Sequence, residues 1–338
     1  MKKEEIIKLR VIAILLVVIG HSIIIFDPNW TIFVTKNENE FFYFLKQFIN
    51  IIQMPIFIMI SGYLFVKSMS KYKNVGNLIV DKFKRIIVPF IMIALFWLIP
   101  IRWFVGYAPY VNSGFLQTLK KVFVGIDSGH LWYLPTLYVI FIVVYLLNRI
   151  KPTKEKNKVF HFMILVLLWG ISIFSGKVIN VMFLPTICEY LFYFYVGFLA
   201  GKRELQPKIT RTTIIMFATF LIASIIIVFG VKNIYAKNIL RSITAVLGTY
   251  SLYCLTLKIK SNSFIEKIDK NSFAIYLLHS PILYIMYKYF ANVNPYLLVT
   301  MNIIVAIIVP SIIAEILRKL KLNFIIGEKR IKNTIKTA

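Results

Sequence analysis

Cysteine, histidine and acidic side chains are all in short supply in this chain. Only two cysteines occur, and Cys188 and Cys254 both fall in long apolar runs, where a thiol behaves as a small apolar residue; neither a disulfide nor a metal site is implied. No CxxC pair, Gly-rich phosphate loop or His-rich tract is present, which removes the usual signatures of redox, nucleotide and metal chemistry. No repeat with a period of about 20–50 residues is visible either. Asp and Glu number 14 against 40 Lys and Arg, a formal net charge of +26. A charge of that size would suit nucleic acid, but the placement of the cations gives a different reading.

What the chain has in abundance is apolar length. Hydrophobic residues make up 59% and aromatics 16%, with a mean hydropathy of +0.76, far outside the range of a soluble domain. Runs long enough to span a bilayer recur at about 11–27, 48–66, 86–104, 131–147, 159–176, 181–200, 213–230, 239–257, 272–290 and 296–317. They predict an all-α, polytopic integral membrane protein of about ten transmembrane helices. The first run lacks a small-residue cleavage site and ends in Asp27-Pro28-Asn29-Trp30, so it is expected to stay as a span rather than be removed as a signal.

With the N-terminus cytoplasmic, 30 of the 40 cations fall in the inner segments 1–10, 67–85, 148–158, 201–212, 258–271 and 318–338, and only 10 in the outer ones. That threefold bias follows the positive-inside rule and places both termini in the cytoplasm. Basic inner loops also suit anionic lipid, so nucleic acid has no claim on them. One membrane domain, 1–322, covers nearly everything, followed by a basic cytoplasmic tail, 323–338. The longest connection, about 105–130 on the outer face, is too short for a second domain and of the right length for a lid or re-entrant segment.

Chemistry is concentrated in few side chains. Arg10 and His21 are separated by ten almost wholly apolar residues, which puts His21 about 16 Å deeper than Arg10 on a helix, near the middle of a hydrocarbon core about 30 Å thick. An ionisable residue at that depth is a functional-site hypothesis by default. His279, in Tyr276-Leu-Leu-His279-Ser280-Pro281, lies nine residues beyond Lys270 and reaches about 13 Å from the same side. Both histidines thus approach one depth, and Pro281 leaves a helix carbonyl free nearby. The alternative for each is an imidazole bonded across helices for stability. His130, in Gly129-His130-Leu-Trp132-Tyr133, sits at the outer end of the fourth span, placed either for an outside substrate or as part of an aromatic belt. His161 reads as interfacial. Glu189 is the one carboxylate near the middle of a span; it either faces a wet cavity, paired with an Arg or orienting an imidazole, or bonds a tyrosine for structure. At the inner mouth Arg10, Lys82, Lys84 and Arg85 form a basic rim, suited to phosphate or equally to ordinary topology. Pro55 to Tyr63 adds a proline kink and a Ser61-Gly62 step that allows close helix approach.

Taken together these segments resemble the bacterial acyltransferase 3 family, membrane proteins that move acyl groups from acyl-CoA onto extracytoplasmic acceptors. The family's basic residue, ten spacers and histidine resemble Arg10 and His21, and its basic-x-x-Arg element resembles Lys82 to Arg85, with Lys in place of the commoner first Arg. Its Pro-aromatic-Ser-Gly-Tyr segment is similar to Pro55 to Tyr63, its His-x-Trp segment to His130-Leu131-Trp132, and its late Tyr-x-x-His to Tyr276 and His279. One departure matters: some branches follow the tryptophan with paired glutamates, whereas Trp132 leads into Tyr-Leu-Pro-Thr-Leu-Tyr138 with no acid, and Glu189 is the candidate substitute. No hydrolase-like extension follows the membrane domain, so a two-domain peptidoglycan acetylase is not what the chain resembles.

The resemblance implies a multi-pass protein of the bacterial cytoplasmic membrane that uses acetyl-CoA as donor and no metal. It further implies a surface polysaccharide or lipid-linked glycan as acceptor, with membrane lipid as surroundings. Arg10, Lys82 and Arg85 would hold the anionic donor, His21 would act as general base toward the acceptor hydroxyl, and His279, His130 and Glu189 would assist; an acetyl-histidine relay remains open. A rival from another class is a polysaccharide or lipid-linked sugar exporter. An exporter needs a continuous polar lining through the membrane, whereas the polar residues named here gather at one depth and at the inner mouth.

Overall fold

The computed structural model describes residues 3–149, 157–178 and 182–329. Helices dominate, and no strand occurs among the described residues. The long ones are α1 (Lys3–Ser22), α2 (Glu40–Met69), α3 (Val75–Phe104), α4 (Tyr133–Arg149), α5 (Asn157–Val178), α6 (Leu184–Lys202), α7 (Arg211–Phe229), α8 (Ile234–Leu255), α9 (Ser263–Phe290) and α10 (Pro295–Lys319). Every apolar run read from the sequence falls on one of them. By length and apolarity six can cross a membrane: α2, α3, α4 with the turn before it, α6, α7 and α10. Helices α1, α8 and α9, at 20, 22 and 28 residues, have the length, but α1 and α9 carry charge clusters at their ends and α8 is rich in hydroxyl side chains. In α5 the apolar stretch is Lys158–Phe174. The chain is a multi-pass membrane protein. Its apolar exterior agrees, most visibly on α7, where Ile214, Ile215, Leu221, Ile222, Ile225, Ile226 and Phe229 are all exposed.

Asparagine starts many of these helices. The side chains of Asn39, Asn74, Asn233, Asn262 and Asn294 each accept from a backbone N–H in the first turn of α2, α3, α8, α9 and α10, and Thr210 does the same for α7. Each cap satisfies donors that the first turn leaves without helical partners. Prolines shape the interiors. In α3 the backbone widens into π-turns at Phe83–Ile87 and Ala94–Leu98, each ending two residues before a proline, Pro89 and Pro100. A proline cannot donate to the carbonyl four residues back, and a wider turn upstream takes up the mismatch.

For orientation we call the end of the bundle that carries Lys3 the near end and the end that carries Ser22 the far end. The closest seam joins α2 and α6. A Cβ added at Gly62 would run into the Phe194 carbonyl, and one added at Gly197 into the Met59 carbonyl, so the two backbones touch as only glycine permits. The connection 105–130 is folded down rather than loose: short helices at Ala108–Val111 and Phe115–Phe123 bring Tyr107 and Tyr110 into the core against Arg102. The described part of the tail, 323–329, packs at the near end beside Arg85, Pro89 and Phe273, and Glu328 bonds Arg318. Residues 330–338 lie outside the described residues. Cys188 and Cys254 are both free.

Candidate active site

Helices α1 and α9 run alongside each other and meet at two levels. Toward the near end Arg10 and Asp269 form an ion pair, with Nε 2.8 Å from Oδ1. Eleven residues further along α1 the His21 ring meets that of His279, centroids 4.9 Å apart and planes at 78°. Eleven residues make three turns and about 20°, so Arg10 and His21 share one face of α1 with a rise of about 16 Å between them. His21 lies in the last turn of α1, which stops at Ser22 instead of continuing to residue 27, so the histidine marks a helix end rather than a helix middle.

His130 comes from the turn Gly129–Trp132 that leads into α4, and its ring is 5.2 Å from that of His279 at 70°. The sequence explains how it is held. Pro281 in α9 cannot donate to Leu277 O, and that freed carbonyl accepts from His130 Nε2 at 3.0 Å. Tyr276 Oη donates to the His130 carbonyl, and Tyr287 Oη donates to the His21 carbonyl. The neighbouring Ser22 carbonyl accepts from Asn302 Nδ2 at 3.0 Å. These clips satisfy backbone groups that the end of α1 and the turn before α4 would otherwise leave bare inside the bundle.

Backbone carbonyls also fix the tautomers, because a carbonyl only accepts. His21 Nδ1 donates to Val17 O at 2.9 Å, so the neutral ring keeps its lone pair on Nε2. His279 Nδ1 lies 2.9 Å from both Ile275 O and Tyr276 O, which leaves its lone pair on Nε2 as well. His130 donates through Nε2 and keeps its lone pair on Nδ1. His279 Nε2 and His130 Nδ1 are buried without a hydrogen-bond partner. Three basic nitrogens thus gather on three helical segments. Among the described residues no group of His, Cys, Asp and Glu is arranged to hold a metal ion.

Two cavities flank the cluster. One, of about 410 Å³, is lined by His21, His130, Trp132, Tyr190, Tyr276 and Arg241 together with polar side chains of α2. The other, of about 220 Å³, lies between His21, His130, Trp30, Ser280, Tyr284 and Arg102. Arg102 is 1% exposed; it bonds Asp127 Oδ1 at 2.9 Å, Tyr110 Oη at 2.6 Å and Tyr284 Oη at 3.0 Å. Gly129, at φ +55°, passes so close to the guanidinium that a side chain there would collide with it, and this glycine sets the turn that presents His130.

Of the residues singled out in the sequence, His21, His279 and His130 come together. Glu189 does not join them. It lies half-buried on α6 as an electrostatic neighbour of Arg241, Tyr190 and Tyr193 and lines neither cavity. His161 is elsewhere too, bonded to Tyr195 Oη at 2.5 Å. At the near end Arg10 is held by Asp269, Lys82 is buried with its ammonium 3.7 Å from the Phe141 ring centre, and Arg85 is exposed. Asp269, Arg102, Asp127, Tyr287, Asn302 and Arg241 went unremarked in the sequence. Arg102 and Arg241 carried a signal, each being a cation inside an apolar run that the inner-loop bias leaves unexplained. The tyrosine and asparagine clips carried none.

A family model described as an acyltransferase domain matches residues 4–316. No curated protein and no solved structure matches the chain. The matched stretch runs from the first turn of α1 into the last turn of α10 and contains every residue of the histidine cluster and its clips. The chain therefore belongs to the acyltransferase 3 family.

Proposed function

We propose that this membrane acyltransferase moves an acetyl group from cytoplasmic acetyl-CoA to a hydroxyl of an extracytoplasmic surface polysaccharide or lipid-linked sugar. In this reading the near end faces the cytoplasm, both termini lie there, all ten long helices of the domain 1–322 cross the bacterial cytoplasmic membrane, and the far end faces outward. The observation that carries it is His21 with Nδ1 pinned on Val17 O and Nε2 left basic, beside His279 and at the wall of two far-end cavities.

A sugar hydroxyl is a poor nucleophile at neutral pH. His21 Nε2 takes its proton as the oxygen attacks, which contributes about 10²–10⁴-fold. The donor supplies an activated acetyl carbonyl as a thioester; its C–S bond breaks as the new C–O ester bond forms, and CoA leaves as the thiol with the proton taken from the hydroxyl. His279 and His130 border His21 and keep a basic nitrogen each for the proton's onward path. Arg10, Lys82 and Arg85 are the residues that would hold the donor's phosphates. Lys82 fits that role best, since among the described residues it is a buried cation whose contacts are aromatic rings, Phe141 and Phe65, and it forms no ion pair. Glu189 acts here through Arg241, not on an imidazole.

The test is label transfer in proteoliposomes from radiolabelled acetyl-CoA to a candidate glycan, comparing the unaltered protein with His21→Ala. Histidine-dependent transfer is the expected result. Absence of transfer, together with passage of labelled glycan across the membrane in the variant, would replace this reading with the exporter.

A further inference from the structure

The far end of the bundle holds cations that neither topology nor ion pairing accounts for. Lys46 is bonded to Asp27, and Arg102 to Asp127. Lys237 and Arg241, one turn apart near the start of α8, form no ion pair among the described residues, and both line the larger cavity. Arg241 uses one amine, Nη2, on the Asn50 carbonyl at 2.9 Å. A guanidinium has five N–H donors, and one carbonyl leaves most of them for the cavity. Glu189 contributes a nearby negative field to Arg241 but does not line the cavity, and among the described residues no Asp or Glu does. A cation in such surroundings is costly unless something negative joins it.

The rest of the lining describes the remainder of the ligand. Tyr43, Gln47, Asn50 and Gln53 present polar groups at helical spacing along α2. Gln53 Nε2 donates to Asn50 Oδ1 at 2.8 Å, and Gln53 Oε1 is buried without a partner beside Gly20 of α1. The Trp132 and Tyr190 rings, centroids 5.0 Å apart and tilted by 32°, line the same cavity and offer an aromatic surface suited to the C–H face of a sugar ring. His21 closes the bottom.

We infer that this cavity is the acceptor site and selects an anionic saccharide, one whose carboxylate or phosphate is bound by Arg241 and Lys237 while its hydroxyl meets His21. The inference rests on the acyl-transfer reading for the role of His21, but the charge preference is a property of binding and stands apart from it. Oxyanion recognition by a guanidinium and an ammonium is charge-assisted and directional. A neutral sugar of the same shape leaves Lys237 and most of the Arg241 N–H donors without an oxyanion inside the cavity, Glu189 acting on Arg241 only from outside it.

The experiment is isothermal titration of the full chain in nanodiscs of zwitterionic lipid with two matched probe pairs. One pair is a tri-uronate and its carboxyl-reduced neutral trisaccharide; the other is a hexose 1-phosphate and the free hexose. The expected result is at least about tenfold tighter binding of the charged member in one pair, which also tells carboxylate from phosphate, with the preference lost in Arg241→Gln. Lys237→Gln, at a half-exposed position, guards against a folding defect and is expected to reduce the preference severalfold. Equal binding of both members of each pair, binding of neither, or a preference that survives both substitutions overturns the inference. Acetyl transfer without charge preference overturns it while leaving the proposed reaction intact. Charge-selective binding without transfer from acetyl-CoA sinks the reaction and leaves the anionic site standing.

Discussion

Two seams of this bundle are built on opposite terms. Where α2 meets α6, Gly62 and Gly197 let the backbones touch, and the rings of Phe65, Phe141, Phe194 and Phe198 fill the space around them. Where α1, α9 and the turn before α4 meet, two imidazole nitrogens lack partners, and cavities open on either side. The first seam follows from dispersion and close approach alone. The second leaves polar groups in a state that costs stability, and a bundle keeps such groups where chemistry uses them. At this seam the unsatisfied imidazole nitrogens belong to a cluster flanked by two cavities, and that combination marks the working region.

The sharpest way to break the comparison is His21→Ala. Removing one base from the open seam is expected to lower acetyl transfer by about 10²–10⁴-fold. Thermal stability in detergent should stay close to that of the parent, because His21 is only half-buried and its one ring hydrogen bond is to its own helix. A large stability loss with proportionate activity loss would put His21 among the supporting residues instead.

Next in size is Arg102→Gln. Its guanidinium ties Asp127, Tyr110 and Tyr284 together at 1% exposure, and removing one member of a buried ion pair typically costs about 3–5 kcal/mol. The expected outcome is a lower unfolding temperature and protease sensitivity between residues 105 and 130. Transfer should fall with it, since Gly129 and His130 rest against this arginine. If the 105–130 segment stays protected, the guanidinium is not what folds it down.

Gly197→Ala probes the other seam. The new methyl meets the Met59 carbonyl, a backbone atom with no room to rotate away, and overpacking of this kind costs about 1–3 kcal/mol. Stability should drop while transfer per folded molecule is unchanged, the reverse of His21→Ala. Equal loss of both would mean that the α2–α6 contact sets the geometry of the site.

Much of this architecture was legible in the sequence, and the limits are physical. Apolar length marks each long helix because a segment in lipid must satisfy its own backbone, which leaves one local solution. The meeting of His21 and His279 was legible as shared depth; His130 was legible only as lying at the outer end of a span, and its approach to His279 was not. Rotation about the helix axis was not legible: helices that are apolar all round show no face, so periodicity could not tell that Glu189 lines neither cavity beside the imidazoles. Nor could it find the stop of α1 at Ser22, because Ile23 to Phe26 are as apolar as the helix before them; the stop is set by partners more than 260 residues away, Tyr287 and Asn302.

Those distant partners give the smallest effect and the finest test. Tyr287→Phe removes one hydroxyl from the His21 carbonyl and leaves the ring, which stacks edge-on with Trp30 at 5.5 Å, in place. A single hydrogen bond of this kind contributes about 0.5–1.5 kcal/mol, and the His21 carbonyl, at a helix end inside the bundle, has no ladder partner to fall back on. The variant should unfold slightly earlier and transfer acetyl severalfold more slowly, with the loss in kcat and little change in KM for the donor, because the hydroxyl is spent on the His21 carbonyl and acts through the angle at which α1 presents His21. Tyr287 also lines the smaller cavity, so a shift in KM instead would mean that this cavity holds the donor. No change in either would show that Asn302 on Ser22 is enough to end α1 where it ends, and that the polar clips of the open seam are redundant in a way the close-packed seam, with no hydrogen bonds to share, cannot be.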